Sequence, residues 1–323
     1  MILSDLINYR NRLDELSAGP IWEVSNTEFL KVFDIVKQSL IPVGPVVDEL
    51  DSVHKIIYKE YEHFDAILTQ LKDKIGKILD EQGQPWFMES TKRYFFDHEH
   101  QSDDWYLQRK SSIPQEDKDF YISRLQTYSS WKYPGLIFRP GLHDLVQHMV
   151  CYDPLYLVDK TDNLLFPCQL EFPEQYRRRL RPVVFDEHSE NSLDALPDNQ
   201  FGVVLAYDYF NFLPMYVIER ILQQVYSKLR PGGTVCFTFN DCETDKAMQL
   251  VENYRASYTP GRALKYQIKA MGYEIVFEYN NHGPTTWMEL KKPGQLKSIR
   301  GGQIMTKVTP LALAPASENT LPK

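Results

Sequence analysis

The chain has 323 residues, of which 43% are hydrophobic and 25% charged, and it carries a formal net charge of −8. This balance suits a globular protein with a full core, at a length that fits two domains. The acidic excess argues against a broadly basic nucleic-acid binder, and no run is long and apolar enough to span a bilayer.

The N-terminus, Met1-Ile2-Leu3-Ser4-Asp5, has no basic segment ahead of an apolar one. No signal peptide is read there, and a cytoplasmic location is expected. Residues 1–130 carry helical periodicity and form an expected helical arm or domain. Leu3, Leu6, Ile7, Leu13 and Leu16 recur at helical spacing up to Gly19-Pro20. Asn26-Thr27 can cap a second helix with Phe29, Leu30, Phe33 and Val36 on one face. A long helix is expected over 46–81, with Leu50, Val53, Ile57, Tyr61, Phe64, Leu68, Leu71, Ile75 and Ile78 in a row. Steps of three and four make that row a coiled-coil-like seam, on a helix about 50 Å long. Its partner is either neighbouring helices in a bundle or a second copy of the chain. A homo-oligomer or larger assembly through these helices is therefore expected. Asp97-His98-Glu99-His100 with Asp103-Asp104 has metal-ligand chemistry, but neighbours in sequence point apart, and a solvated acidic loop is the preferred reading. Residues 114–129 read as a helix with Phe120, Leu125 and Tyr128 inward.

From Tyr133 the period changes. Strands are expected at 135–138, 154–159, 182–186, 201–208, 234–240, 274–279 and 286–291. Helical stretches are expected at 143–150, around 172–180, after Pro214, and at 263–271, the last stopped by Gly272. Alternating strands and helices imply a mainly parallel sheet covered on both faces. The nearly all-apolar run from Phe201 suits a buried central strand. The four cysteines, Cys151, Cys168, Cys236 and Cys242, form no C-x-x-C pair or zinc template, so no metal site is expected from them and reduced thiols are. From about residue 294, Gly, Pro, Ala and Ser predominate, which reads as an extended tail over 294–323.

Two ordered motifs carry a resemblance. Leu196-Pro197-Asp198-Asn199-Gln200-Phe201-Gly202-Val203-Val204 resembles the Leu-Pro…Phe-Asp-Val-Val approach to the fourth strand of class I S-adenosylmethionine-dependent methyltransferases. Leu229-Arg230-Pro231-Gly232-Gly233-Thr234-Val235 is similar to their Leu-(Lys/Arg)-Pro-Gly-Gly turn into the fifth. Gly272-Tyr273-Glu274 and the hairpin after it look like the family's closing elements. The resemblance covers about half the chain. It implies an α/β fold with a Rossmann-like, seven-stranded methyltransferase-type sheet over 131–293, and S-adenosylmethionine as cofactor.

In such folds the ligand sits beyond the carboxyl ends of the strands. The resemblance implies cofactor contacts at Gly141, at Asp159 for the ribose hydroxyls, and at Ser192 with Asp194 near the adenine. Asp159 follows Gly141 by 18 positions, the span of a turn, a helix and a strand. A second reading makes Asp159, with Thr161, Asp162 and Asn163, simply a helix cap. The first turn departs from the family: Phe138-Arg139-Pro140-Gly141 keeps a single glycine, and Arg139 and Pro140 crowd the methionine end. After the fourth strand, Asp208 and Tyr209 face the expected substrate cleft as candidate catalytic residues, with loop packing as the alternative. The sequence there, Tyr207-Asp208-Tyr209-Phe210-Asn211, is not the motif of base-methylating enzymes.

Methyl transfer asks mainly for alignment, so a missing acid–base dyad excludes nothing. Arg177, Arg178, Arg179 and Arg181, or the lysines that open the tail, could hold phosphates, though a solvated face is preferred. Three functions remain open: an S-adenosylmethionine-dependent methyltransferase of unidentified acceptor, a non-catalytic scaffold of the same fold that works through its helices and tail, and, less favoured, a nucleic-acid-binding module using the Arg177–Arg181 run.

Overall fold

The computed structural model describes residues 73–81, 83–93, 114–141, 146–187, 189–281 and 283–296, with residues 3, 4, 7, 8, 10, 11, 66, 69 and 70. The expected helix over 26–36, most of the long 46–81 helix, the acidic His98 cluster and the tail beyond 296 lie outside them.

Seven strands form one sheet: β1 Gly135–Phe138, β2 Leu155–Asp159, β3 Leu180–Val184, β4 Phe201–Ala206, β5 Leu229–Phe239, β6 Glu274–Tyr279 and β7 Thr286–Lys291. Their order is β3-β2-β1-β4-β5-β7-β6. Neighbours are parallel from β3 through β5, and β7 runs antiparallel to both β5 and β6. One reversed strand inserted next to the last is the Rossmann-like, methyltransferase-type sheet implied by the sequence motifs. β4 is buried at every position, as its apolar run requires.

The helices are α1 Gln115–Thr127, α2 Asp162–Leu170, α3 Glu174–Arg177, α4 Met215–Lys228, α5 Asp245–Glu252 and α6 Gly261–Ala270. On one face of the sheet, α4 sets Val217, Ile218, Ile221, Leu222 and Val225 against β4 and β5, joined by Leu264 and Ile268 of α6. On the other, α1, α2 and a short 3-10 turn at Val146–Met149 cover β1, β2 and β7.

Several expected elements shift. Helix is found at Asp162–Leu170, ahead of the expected 172–180, and only four residues of α3 follow. Pro167 inside α2 hid it, since proline removes a backbone donor from a helix interior. Burial of Leu164, Leu165 and Cys168 against the sheet outweighs that loss. Thr161 takes the extended conformation at the N-cap position of α2, without a capping hydrogen bond from its side chain. α5, not anticipated, starts at Thr244, whose hydroxyl accepts from Ala247 N at 3.3 Å. The Pro231-Gly232-Gly233 turn lies inside β5 instead of before it. Gly232 has φ +80° there, and a β-carbon on it would meet the Leu296 backbone at 2.6 Å. Gly202, where the resembled motif has aspartate, leaves room for Tyr133, whose Cβ lies 2.7 Å from a β-carbon built on the glycine.

α1 is tied into the domain by a buried charge. Glu289 on β7 is fully buried and accepts from Arg124 Nε at 2.7 Å, Arg124 Nη2 at 2.6 Å, Trp287 Nε1 at 2.8 Å and the Tyr128 hydroxyl. Tyr121 stacks on Trp287 at 4.9 Å. Tyr121 and Leu125 are the buried residues of α1, while Phe120 and Tyr128 pack at its margin.

The N-terminal segments dock on the same body. Leu3, Ile7 and Leu79 are buried with Cys242, Met248 and Val251. Glu252 accepts from the backbone N–H groups of Leu3 and Ser4 and from the Ser4 hydroxyl, as a cap of that N-terminal helix. In the expected coiled-coil row, Ile75 packs on this cluster but Ile78 is 43% exposed, and Leu79 turns inward in its place. The four cysteines form no disulfide with one another. Among the described residues, no helix is long and apolar enough to cross a membrane.

Candidate functional site

The carboxyl ends of β1, β2, β3 and β4 converge where a fold of this kind places its ligand. β1 ends at Phe138, and Arg139 follows with φ +45°, Gly141 with φ +70°. A left-handed conformation suits glycine and costs a residue with a β-carbon about 1–2 kcal/mol. Arg139 is held in it by its N–H, which donates to Val158 O at 2.7 Å. Its side chain is buried, with Nε 4.0 Å from Asp159 Oδ1.

Asp159 therefore stands at the end of β2 as expected, but its carboxylate is 3% exposed. Oδ1 also accepts from the N–H of Lys160 at 2.7 Å. The Lys160 ammonium pairs with Glu187, which is 1% exposed in the loop after β3. Burial pulls the Lys160 pKa below its ordinary value, and the Glu187 charge and hydrogen bond oppose that shift only in part. The second Glu187 carboxylate oxygen accepts from the Tyr209 hydroxyl at 2.5 Å, and Arg220 of α4 donates to the Glu187 carbonyl. The Tyr209 ring lies parallel to Phe138, centroids 5.7 Å apart at 7°, with Phe185 edge-on to Phe138. Asp208, at φ +48° and 1% exposed, donates its N–H to Thr238 Oγ1 at 2.7 Å.

The predicted site residues divide. Gly141, Asp159, Asp208 and Tyr209 are gathered at this end of the sheet. Asp208 and Tyr209 are both buried, and the Tyr209 ring packs on Phe138. Ser192 turns to α4, where its hydroxyl donates to Gln224 Oε1 at 3.2 Å, and Asp194 is exposed. Neither hydrogen bonds to Asp159, Lys160 or Glu187. The sequence reading missed Lys160, Glu187 and Arg220. The available signal was the pair Asp186-Glu187 directly after β3, at a strand's carboxyl end.

The arginine run is used structurally. Arg177 donates to Phe172 O at 2.5 Å and Leu170 O at 2.7 Å, capping the end of α2. Arg178 pairs with Glu174, Arg179 with Asp153, and Arg181 bonds the carbonyls of Arg178 and Leu180. Among the described residues, no group of three His, Cys, Asp or Glu side chains could hold a metal ion.

S-adenosylmethionine, the cofactor the resemblance implies, would meet Asp159 here only with the Arg139 side chain moved aside. It would need close backbone approach at the first turn, where the Arg139 side chain lies, and an open carboxylate at the end of β2, where Asp159 is covered. The space toward the third and fourth strands holds the Lys160–Glu187–Tyr209 chain of contacts.

No family model matches the chain, and no curated protein matches it. Solved structures with a similar fold include an S-adenosylmethionine-dependent methyltransferase from Clostridium acetobutylicum, at 11% identity and TM-score 0.46, covering 57% of this chain and 94% of that one. Another is the magnesium protoporphyrin IX methyltransferase of Synechocystis, at 12% and 0.42, covering 55% and 79%. A 4+2 cyclase matches at 12% and 0.43, covering 56% and 83%. At such identities these likenesses concern fold alone, and the fold assignment rests on the strand order.

Proposed function

We propose that this chain uses a methyltransferase-type α/β domain as a non-catalytic scaffold, acting in an assembly through its N-terminal helices and C-terminal tail. One observation supports the reading: at the ends of β1 to β4 the chain's own charged side chains engage one another. Arg139 lies against Asp159, and Lys160 and Tyr209 both engage Glu187. Two buried carboxylates, Asp159 and Glu187, each have a cationic side chain of the chain itself beside them.

Isothermal titration of the full chain with S-adenosylhomocysteine tests it. No saturable heat at millimolar ligand is expected, and stoichiometric binding would overturn the reading. The methyltransferase reading draws support from Asp159 at the end of β2 and from the left-handed Gly141. It requires Arg139 to leave Asp159 when ligand binds. Multi-angle light scattering on the full chain checks the assembly half of the proposal: a mass above one chain is expected, and a strict monomer at high concentration would refute it.

A further inference from the structure

A cavity lies away from those strand ends. It is a cleft of about 520 Å³ between the helical segment at 80–87 and the starts of α4 and α6. That volume falls in the range of small-molecule sites. Its apolar wall is formed by Phe87, Met215 and Tyr258, and its charged groups are Asp80, Glu243 and Arg262.

The charges are unevenly matched. Arg262 is committed to Glu243, with Nε 2.6 Å from Oε1. Asp80 is exposed, and its charge acts on Arg262 as that of Glu243 does, so the cleft carries two carboxylates against one guanidinium. Arg10 lines only a small adjoining recess, where it donates to the Glu243 carbonyl. Asp80 and Glu243 both push the Tyr258 phenol above its ordinary pKa, behind the larger effect of burial and a further contribution from Cys242, with Arg262 opposing them. The rings of Phe87 and Tyr258 stack on no other ring of the described residues. A carboxylate beside two aromatic side chains in one cleft is the chemistry that receives an ammonium group.

We propose that this cleft binds a small organic cation with an apolar body, of the arylalkyl-ammonium class, with Asp80 as counter-ion and Phe87 and Tyr258 as the aromatic wall. The site stands apart from the ends of β1 and β2, so the outcome of the S-adenosylhomocysteine titration does not bear on it.

The test is ligand-detected NMR on the full chain, titrated with benzyltrimethylammonium and, separately, with benzenesulfonate. Saturable binding of the ammonium compound and none of the sulfonate is expected. Asp80→Asn should weaken binding about fivefold, the size of one exposed charge contact. It should leave the circular dichroism spectrum and melting temperature unchanged, since Asp80 is exposed. Phe87→Leu should weaken binding by a similar factor. The proposal is overturned if benzyltrimethylammonium shows no saturable binding, if benzenesulfonate binds as well, or if Asp80→Asn, folded by the same criteria, binds with unchanged affinity.

Discussion

Replacing Glu289 by glutamine removes one charge from the interior and almost no volume. In the native chain that carboxylate receives two bonds from Arg124, one from Tyr128 and one from Trp287. Glutamine can accept some of these, but its amide N–H groups then face donors. Breaking a buried ion pair from one side costs about 3–5 kcal/mol, because the other charge is stranded. The Arg124 side chain is 27% exposed and recovers some hydration, which places the cost at the low end, about 3 kcal/mol. For a domain of this size each kcal/mol lowers the melting temperature by about 2–4 °C, so a fall of about 6–12 °C is expected.

The pH dependence gives a second signature. Burial alone would raise the Glu289 pKa. Hydrogen bonds from Arg124, Tyr128 and Trp287 outweigh that and hold it below its ordinary 4.5. A depressed acid contributes stability above its unfolded pKa and loses it as pH falls through the folded value. Glu289→Gln should therefore narrow its deficit against the native chain as pH drops below 4.5. Adding Arg124→Met to Glu289→Gln should restore roughly 1 kcal/mol or more, since no stranded charge remains. Urea denaturation followed by circular dichroism measures all three. If Glu289→Gln lies within about 0.5 kcal/mol of the native chain at pH 7, the stability assigned to this contact is wrong.

Asp241 is buried, and desolvation, reinforced by Glu243, raises its pKa to about 6, so its stabilising contribution is complete below pH 3.8 and is lost as pH rises through 6. Asparagine keeps an acceptor for the N–H groups of Glu243 and Gly261, so Asp241→Asn should gain up to about 3 kcal/mol at pH 7.5 and nothing near pH 3.5; equal urea midpoints for the two chains at pH 7.5 would refute this. Gly202→Ala puts a β-carbon 2.7 Å from Tyr133 Cβ in the central strand and should cost about 1–3 kcal/mol by overpacking, read from the same urea midpoint. Glu252→Ala removes the cap of the N-terminal helix, about 1 kcal/mol, and should speed hydrogen exchange at Leu3 and Ser4 while leaving the sheet protected; unchanged exchange there would mean that Glu252 does not hold the segment.

Much of the sheet was legible because its signals are local. β1, β6 and β7 appear within a residue of their expected bounds, as short runs of apolar and β-branched residues between turn signals. The seam of α4 follows from helical spacing alone, and Gly272 stops α6 with φ +90° as a glycine can. Errors fell where tertiary packing outweighed a local rule. Pro167 reads as a breaker, yet α2 forms because the sheet buries its neighbours. Ile78 continues the coiled-coil row, yet Leu79 is the residue that meets Met248 and Val251.

The sequence by itself determined the class of sheet and the departure of the first turn, because both rest on residue types at fixed spacing. It also located Gly141, Asp159, Asp208 and Tyr209 at strand ends. Which way those side chains turn was decided only by the tertiary structure. Arg139 could have extended to solvent, and Lys160 and Glu187 gave no sign of pairing, since they lie 27 positions apart and meet only when β2 and β3 align. A buried carboxylate requires a partner, and the packed chain supplies Arg139 for Asp159 and Lys160 for Glu187 at the ends of these strands.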